Sequence, residues 1–177
     1  GYHATYVDVL EQVIDGLNAR GWYPLRLVDN DSEETLRIDG VSALPAQQVA
    51  AVAEALAQAD IAATAVGVPI LPRVAPAIAA GIAQRFQDDA AAPLNIIVCE
   101  NMIGAGPFLR ERVRECLDPK WHGALDERVG FVEASIGRMV PVMTAAQHAE
   151  DPLLICVEPF KELPVDADGF RGTIPEL

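Results

Sequence analysis

Positive charge is scarce in this chain. Only 13 Lys and Arg stand against 26 Asp and Glu, a formal net charge of −13 over 177 residues. Phosphate contacts need clustered Lys and Arg, so the balance argues against a nucleic-acid partner. The acidic residues are spread out rather than run together, which reads as a solvated surface. Long apolar runs are missing too. None approaches the ~18 residues of a membrane-spanning helix, so no membrane association is expected. No basic segment followed by an apolar core opens the chain, so no secretory signal is expected. Cysteine is limited to Cys99, Cys116 and Cys156, an odd number without a Cys-x-x-Cys, which argues against a disulfide framework or a structural zinc site. Cys99 and Cys156 lie in apolar runs, as suits reduced thiols in a cytoplasmic protein. His3, His122 and His148 have no ligand-type neighbours at helical or loop spacing, so no metal is expected. A P-loop and a Gly-x-Ser-x-Gly elbow are both absent.

What is abundant is aliphatic: 51% of the residues are hydrophobic and only 6% aromatic. Residues 4–7 read as a short strand ending at Asp8. Leu10, Val13, Ile14 and Leu17 follow at helical spacing, and Gly21 closes that helix. Residues 22–28, 35–38 and 41–44 read as strands, the first two around a polar turn at 29–32. Residues 46–57 read as an amphipathic helix and 60–66 as a strand. Pro69, Pro72 and Pro76 crowd the next helix, whose regular part is expected at 74–85 because proline suits a first turn. A polar stretch at 87–93 leads to a strand at 94–99. A helix at 107–117 and strands at 129–132, 139–142 and 153–157 complete the pattern. Pro- and Gly-rich sequence after Val157 reads as an irregular connector. Strands alternating with helices imply βαβ units and a mostly parallel, Rossmann-like sheet with flanking helices.

Leu94-Asn95-Ile96-Ile97-Val98-Cys99-Glu100-Asn101-Met102 carries the strongest signal. An apolar run suited to a buried strand ends in a polar pair, at the edge where open α/β sheets bind ligands. An amide there can donate to a developing alkoxide or a carbonyl oxygen. It can equally cap the following helix. Asp8, at another strand end, suits hydrogen bonds from an adenosine ribose. It also suits a helix N-cap. The fingerprint glycines of a dinucleotide site should precede such an acid by about 20 residues, and only seven residues precede Asp8. Gly104-Ala105-Gly106 lacks the third glycine and reads as a loop. Thr64-Ala65-Val66-Gly67-Val68-Pro69 places small residues at a strand end, where a ligand can approach the backbone.

These blocks resemble the zinc-independent polyol dehydrogenases of the mannitol dehydrogenase family, in the branch acting on polyol phosphates. The matching residues run in family order. They are Tyr6-Val7-Asp8-Val9 with Leu17-Asn18-Ala19-Arg20, then Thr64-Ala65-Val66-Gly67 with Ala75-Pro76-Ala77-Ile78-Ala79. Leu94-Asn95-Ile96-Ile97 through Asn101-Met102 follows, then Val129-Gly130-Phe131-Val132 and Arg138-Met139-Val140-Pro141. Asp151-Pro152-Leu153 with Val157-Glu158 fits as well. The resemblance implies an NAD-binding Rossmann domain over 1–157, lacking its first strand and glycine-rich turn. It also implies a connector, 158–177, towards a helical domain. Asp8 falls on the ribose-binding acid, Val66 and Gly67 on a loop near the cofactor, and Asn101 on an asparagine polarising the reacting oxygen. Arg138 falls in a block expected to meet substrate, although Gly137 stands where several members have aspartate. Lys120 and Lys161 do not match the family's catalytic lysine motif.

The implied activity is an NAD-dependent interconversion of a polyol phosphate and a ketose phosphate, with mannitol 1-phosphate and fructose 6-phosphate the expected pair. A catalytically inactive nucleotide- or partner-binding fragment is the alternative of a different class. A sugar-acid (uronate) dehydrogenase of the same superfamily is another. Without the first strand, a sheet edge is expected to be marginally stable, rearranged or covered by another chain.

Overall fold

The computed structural model describes residues 1–29, 32–88 and 92–175. The turn read at 29–32 and the polar stretch read at 87–93 fall partly outside them. The chain divides into two compact units, Gly1–Gln48 with Gly137–Glu162, and Val49–Ile136 with the tail from Leu163.

The first unit opens with β1 (Ala4–Asp8) and α1 (Glu11–Arg20). The Asp8 carboxylate accepts the N–H groups of Val9 and Leu10 and holds the turn into α1. Gly21 ends the helix at φ 69°, a left-handed conformation that suits glycine. Next come β2 (Trp22–Val28), β3 (Glu33–Asp39) and β4 (Val41–Pro45). β1 and β4 pair in parallel, whereas β2 and β3 form an antiparallel hairpin. The hairpin's other edge takes a short parallel strand, β8 (Ile155–Val157). Ile14 and Leu17 of α1 pack on Val41, Ala43 and Leu153.

Two readings change in this unit. Residues 139–142 form no strand. Alternating apolar residues suit a strand only where an edge is available, and Pro141 has no N–H to offer one. Instead Met139 exchanges bonds with Glu158 alone, while Val142 stands exposed. A helix not read from the periodicity, α6 (Ala145–Glu150), follows. Its capping box joins Thr144 and Gln147, a signature visible in the sequence as Thr-x-x-Gln.

The second unit holds α2 (Val49–Gln58), β5 (Ile61–Thr64), α3 (Leu71–Gln87), β6 (Leu94–Val98), α4 (Ala105–Cys116), α5 (His122–Arg128) and β7 (Val129–Glu133). β5, β6 and β7 form a parallel sheet with β6 in the middle. All five residues of β6 are buried. Leu94, Ile96 and Val98 join the core beneath α3 and α4, while Ile97 packs with Val132 and Phe170. Burial on both faces is why this strand reads as a continuous apolar run. Each such side chain contributes about 1.5–3 kcal/mol.

α3 starts earlier than expected, at Leu71, and runs through Pro76. An interior proline costs about 3 kcal/mol. Here Leu71, Ala75, Ala79, Ile82 and Phe86 bury one continuous stripe, which offsets that cost. α5 was not read from the sequence. The segment after Val157 is less irregular than expected: Val165 bridges Ala134, and Phe170 is buried. Asn95 of β6 donates to the Arg171 carbonyl and accepts the Arg171 N–H. The described strands thus form three short sheets rather than one, with the expected mix of parallel strands and flanking helices. No helix among the described residues is long and apolar enough to cross a membrane.

Candidate active site at a strand edge

The register places Thr64 opposite Val98 and Val98 opposite Glu133. Because the three strands are parallel, their carboxyl ends share one edge. The loops that leave that edge carry Val66 and Gly67, Glu100 and Asn101, and Ser135 and Ile136. A cavity of about 860 Å³ opens there, lined by residues 99–103, 133–136 and 164–166.

Asn101 is exposed in this lining, and its amide makes no hydrogen bond among the described residues. The N-cap of α4 is Gly104, with no side-chain cap, so Asn101 does not serve as that cap. It is the middle residue of a tight turn in which the Met102 N–H donates to the Glu100 carbonyl at 2.9 Å. The far end of the loop is pinned where the Gly104 N–H donates to Glu133 Oε1 at 2.6 Å. An amide displayed at a strand tip has donors free to meet a carbonyl or alkoxide oxygen.

Val66 and Gly67 follow β5. Gly67 has φ 87°, a backbone conformation that L side chains rarely adopt. Both N–H groups donate to the buried carboxylate of Glu100, at 2.9 and 2.8 Å. The sequence reading noted Glu100 only as Asn101's polar neighbour. The available signal is a charge two residues beyond the end of a mostly apolar strand. Beside it, burial pushes the Cys99 thiol pKa up, and the charge of Glu100 adds to that. Cys99 is therefore a poor nucleophile.

Asp8 and Arg138 belong to the first unit. Asp8 Oδ1 takes both backbone bonds of the turn into α1, while Oδ2 accepts no hydrogen bond among the described residues. The N-cap of α1 is Leu10, with no side-chain cap, so Asp8 does not cap the helix but holds the turn that precedes it with one oxygen. Arg138 Nε donates to the Phe160 carbonyl. Of the remaining candidates, His122 Nε2 contacts the carbonyls of Arg114 and Leu117 behind the end of α4. Lys120 pairs with Asp118. No cluster of three His, Cys, Asp or Glu among the described residues is placed to hold a metal.

A parallel β5-β6-β7 sheet with small and polar residues at its carboxyl edge, and helices against it, defines a Rossmann-type α/β protein. The chain belongs to the mannitol dehydrogenase family: the model of the mannitol dehydrogenase Rossmann domain matches residues 1–177. It is 45% identical over 177 residues to a mannitol-1-phosphate 5-dehydrogenase of Brevibacillus brevis, covering all of this chain and 44% of the relative. It is 40% identical over 178 residues to the enzyme of the same name from Bacillus pumilus, covering 46% of that protein. The chain therefore spans less than half the length of these relatives. Among solved structures, it superposes on the Pseudomonas fluorescens mannitol 2-dehydrogenase ternary complex with NAD and D-mannitol. The TM-score is 0.73 at 17% identity, over 91% of this chain and 42% of the other, a likeness of fold.

Proposed function

We propose that this chain supplies the nucleotide-binding part of an NAD-dependent dehydrogenase that interconverts mannitol 1-phosphate and fructose 6-phosphate. The observation that carries the reading is 45% identity across every part of the chain to a relative bearing that enzyme's name. Residues 1–157 form the nucleotide-binding domain, and 158–177 lead towards a helical domain. The protein works in the cytoplasm. Among the described residues β1 and β5 are each paired on one side only, and we propose that a further chain segment or a second chain covers those edges.

Each unit, taken by itself, offers groups suited to the cofactor. Asp8 keeps one carboxylate oxygen free for a ribose hydroxyl. The Val66–Gly67 backbone, bare of bulk at Gly67, lets a ligand approach. Bound NAD supplies the hydride acceptor. Asn101 donates to the substrate oxygen as charge builds on it, and Arg138 meets the substrate. The general base comes from outside residues 1–177.

Two experiments test this. In a chimera, this chain replaces the matching segment of the Brevibacillus brevis relative. It is expected to reduce fructose 6-phosphate with NADH. Turnover of fructuronate alone would favour the sugar-acid alternative and overturn the substrate assignment. Asp8→Asn keeps an Oδ1 acceptor for the turn into α1 but replaces the free oxygen by a donor. It is expected to weaken NAD binding about tenfold or more, as for the loss of a charge-assisted bond of roughly 1.5–3 kcal/mol. Unchanged affinity by calorimetry would leave Asp8 as a turn former only.

A further inference from the structure

We propose that Glu100 is a positioning residue, clamping the Val66–Gly67 loop to the turn that displays Asn101. The proposal rests on the dehydrogenase reading above.

Glu100 is only 6% exposed. A buried charge is costly unless its oxygens are satisfied, and no salt bridge to Glu100 is seen among the described residues. Its compensation is a fork: Oε1 accepts the Val66 N–H and Oε2 the Gly67 N–H. Here the two consecutive backbone donors meet two different oxygens side by side, one each. A carboxylate offers them. An amide offers one acceptor and turns its NH2 against the other N–H.

The position of the fork shows what it adds. The backbone ladder between the two strands closes where the Cys99 N–H donates to the Thr64 carbonyl at 2.9 Å. Beyond that bond the loops have no further ladder, and Glu100 extends the coupling past the sheet's end. The carbonyl of the same residue accepts the Met102 N–H, which makes the turn around Asn101. One residue therefore sets the loop near the cofactor with its side chain and the turn holding Asn101 with its backbone. Loss of the fork leaves the strands paired and releases the loop.

Asn95 provides a matched control. It is buried in the same strand and makes two hydrogen bonds to backbone groups of Arg171, but at the strand's opposite end. Glu100→Gln and Asn95→Ala are compared in the full chain by urea unfolding, NAD calorimetry and amide hydrogen exchange. Asn95→Ala is expected to lower the unfolding midpoint and leave the NAD Kd within about twofold. Glu100→Gln is expected to raise the Kd about tenfold and to speed exchange at Val66 and Gly67. If Glu100→Gln fails to fold, Glu100→Asp keeps the charge on a stem too short for both donors, and the same shifts are expected. Unchanged exchange at Val66 and Gly67 overturns the clamp. A Kd no more affected than in Asn95→Ala overturns its role in positioning. A wild-type chain that takes up no NAD overturns the dehydrogenase reading, and this role with it.

Discussion

Replacing Gly106 by alanine tests the contact between α4 and β7 that ends the Asn101 loop. Two effects oppose each other. Alanine is favoured over glycine within a helix by at most about 1 kcal/mol, and by less in the first turn. Against this, a Cβ at position 106 would lie 2.8 Å from the Phe131 carbonyl oxygen and 3.0 Å from Glu133 Cγ. The glutamate side chain can shift. The carbonyl belongs to a strand paired along its length with β6 and cannot move without disturbing the sheet. Forcing a methyl group into a packed interior costs about 1–3 kcal/mol. The clash wins, with an expected net loss of roughly 1–2 kcal/mol. Gly123 is the control, because it is likewise the second residue of its helix, and a Cβ there meets nothing within 4 Å. Gly123→Ala is expected to gain a few tenths of a kcal/mol. Trp121 lies in the second unit and packs on Phe86 at 5.5 Å between ring centroids. In a Trp22→Phe background its fluorescence follows the urea unfolding of that unit. Opposite shifts of the midpoint are expected for the two variants. Equal shifts, or a Gly106→Ala protein as stable as its parent, would refute the close approach of α4 to β7.

Two further predictions concern single side chains. The buried guanidinium of Arg85 donates to the carbonyls of Ala57, Ala59 and Ala92 at 2.7, 3.1 and 3.0 Å. Arg85→Met fills similar space but leaves these acceptors bare, so the second unit should lose roughly 3–5 kcal/mol in urea unfolding; a loss under about 1 kcal/mol speaks against the clasp. In the first unit, the hydrogen bond from Arg26 holds Glu150 below its ordinary pKa of 4.5. A depressed folded pKa means that the pair's contribution is complete above about pH 4.5 and is lost as pH falls through the folded value. Glu150→Gln should therefore flatten the acid loss of stability, read from Trp22 fluorescence in a Trp121→Phe background. Superimposable acid limbs would show that the pair contributes nothing.

Much of the candidate site is legible in the sequence. A strand buried on both faces is mostly apolar, with the one polar residue of β6, Asn95, satisfied by Arg171, so β6 and the abrupt polar step at Glu100 stand out. Gly21 marked the end of α1 because a left-handed residue closes a helix at low cost only as glycine or asparagine. The capping box at Thr144 and Gln147 is equally local, although the periodicity of the short helix that it opens is too brief to mark it. The misreading of residues 139–142 has a different cause. Alternation prepares a segment for pairing but does not supply an edge.

What the sequence determined by itself is the local alternation of strands and helices, the polar tip of β6, and membership of the mannitol dehydrogenase family through its ordered blocks. These depend on periodicity, burial and residue type, which short stretches carry. Only the tertiary structure decided that Asp8 gives one oxygen to the turn before α1 rather than capping the helix, that Asn101 does not cap α4, and that α3 runs through Pro76. It also decided that Glu100 meets the N–H groups of Gly67 and Val66, 33 and 34 positions earlier in the chain. Each outcome depends on which distant backbone groups arrive within hydrogen-bond or packing distance. No window of neighbouring residues specifies that.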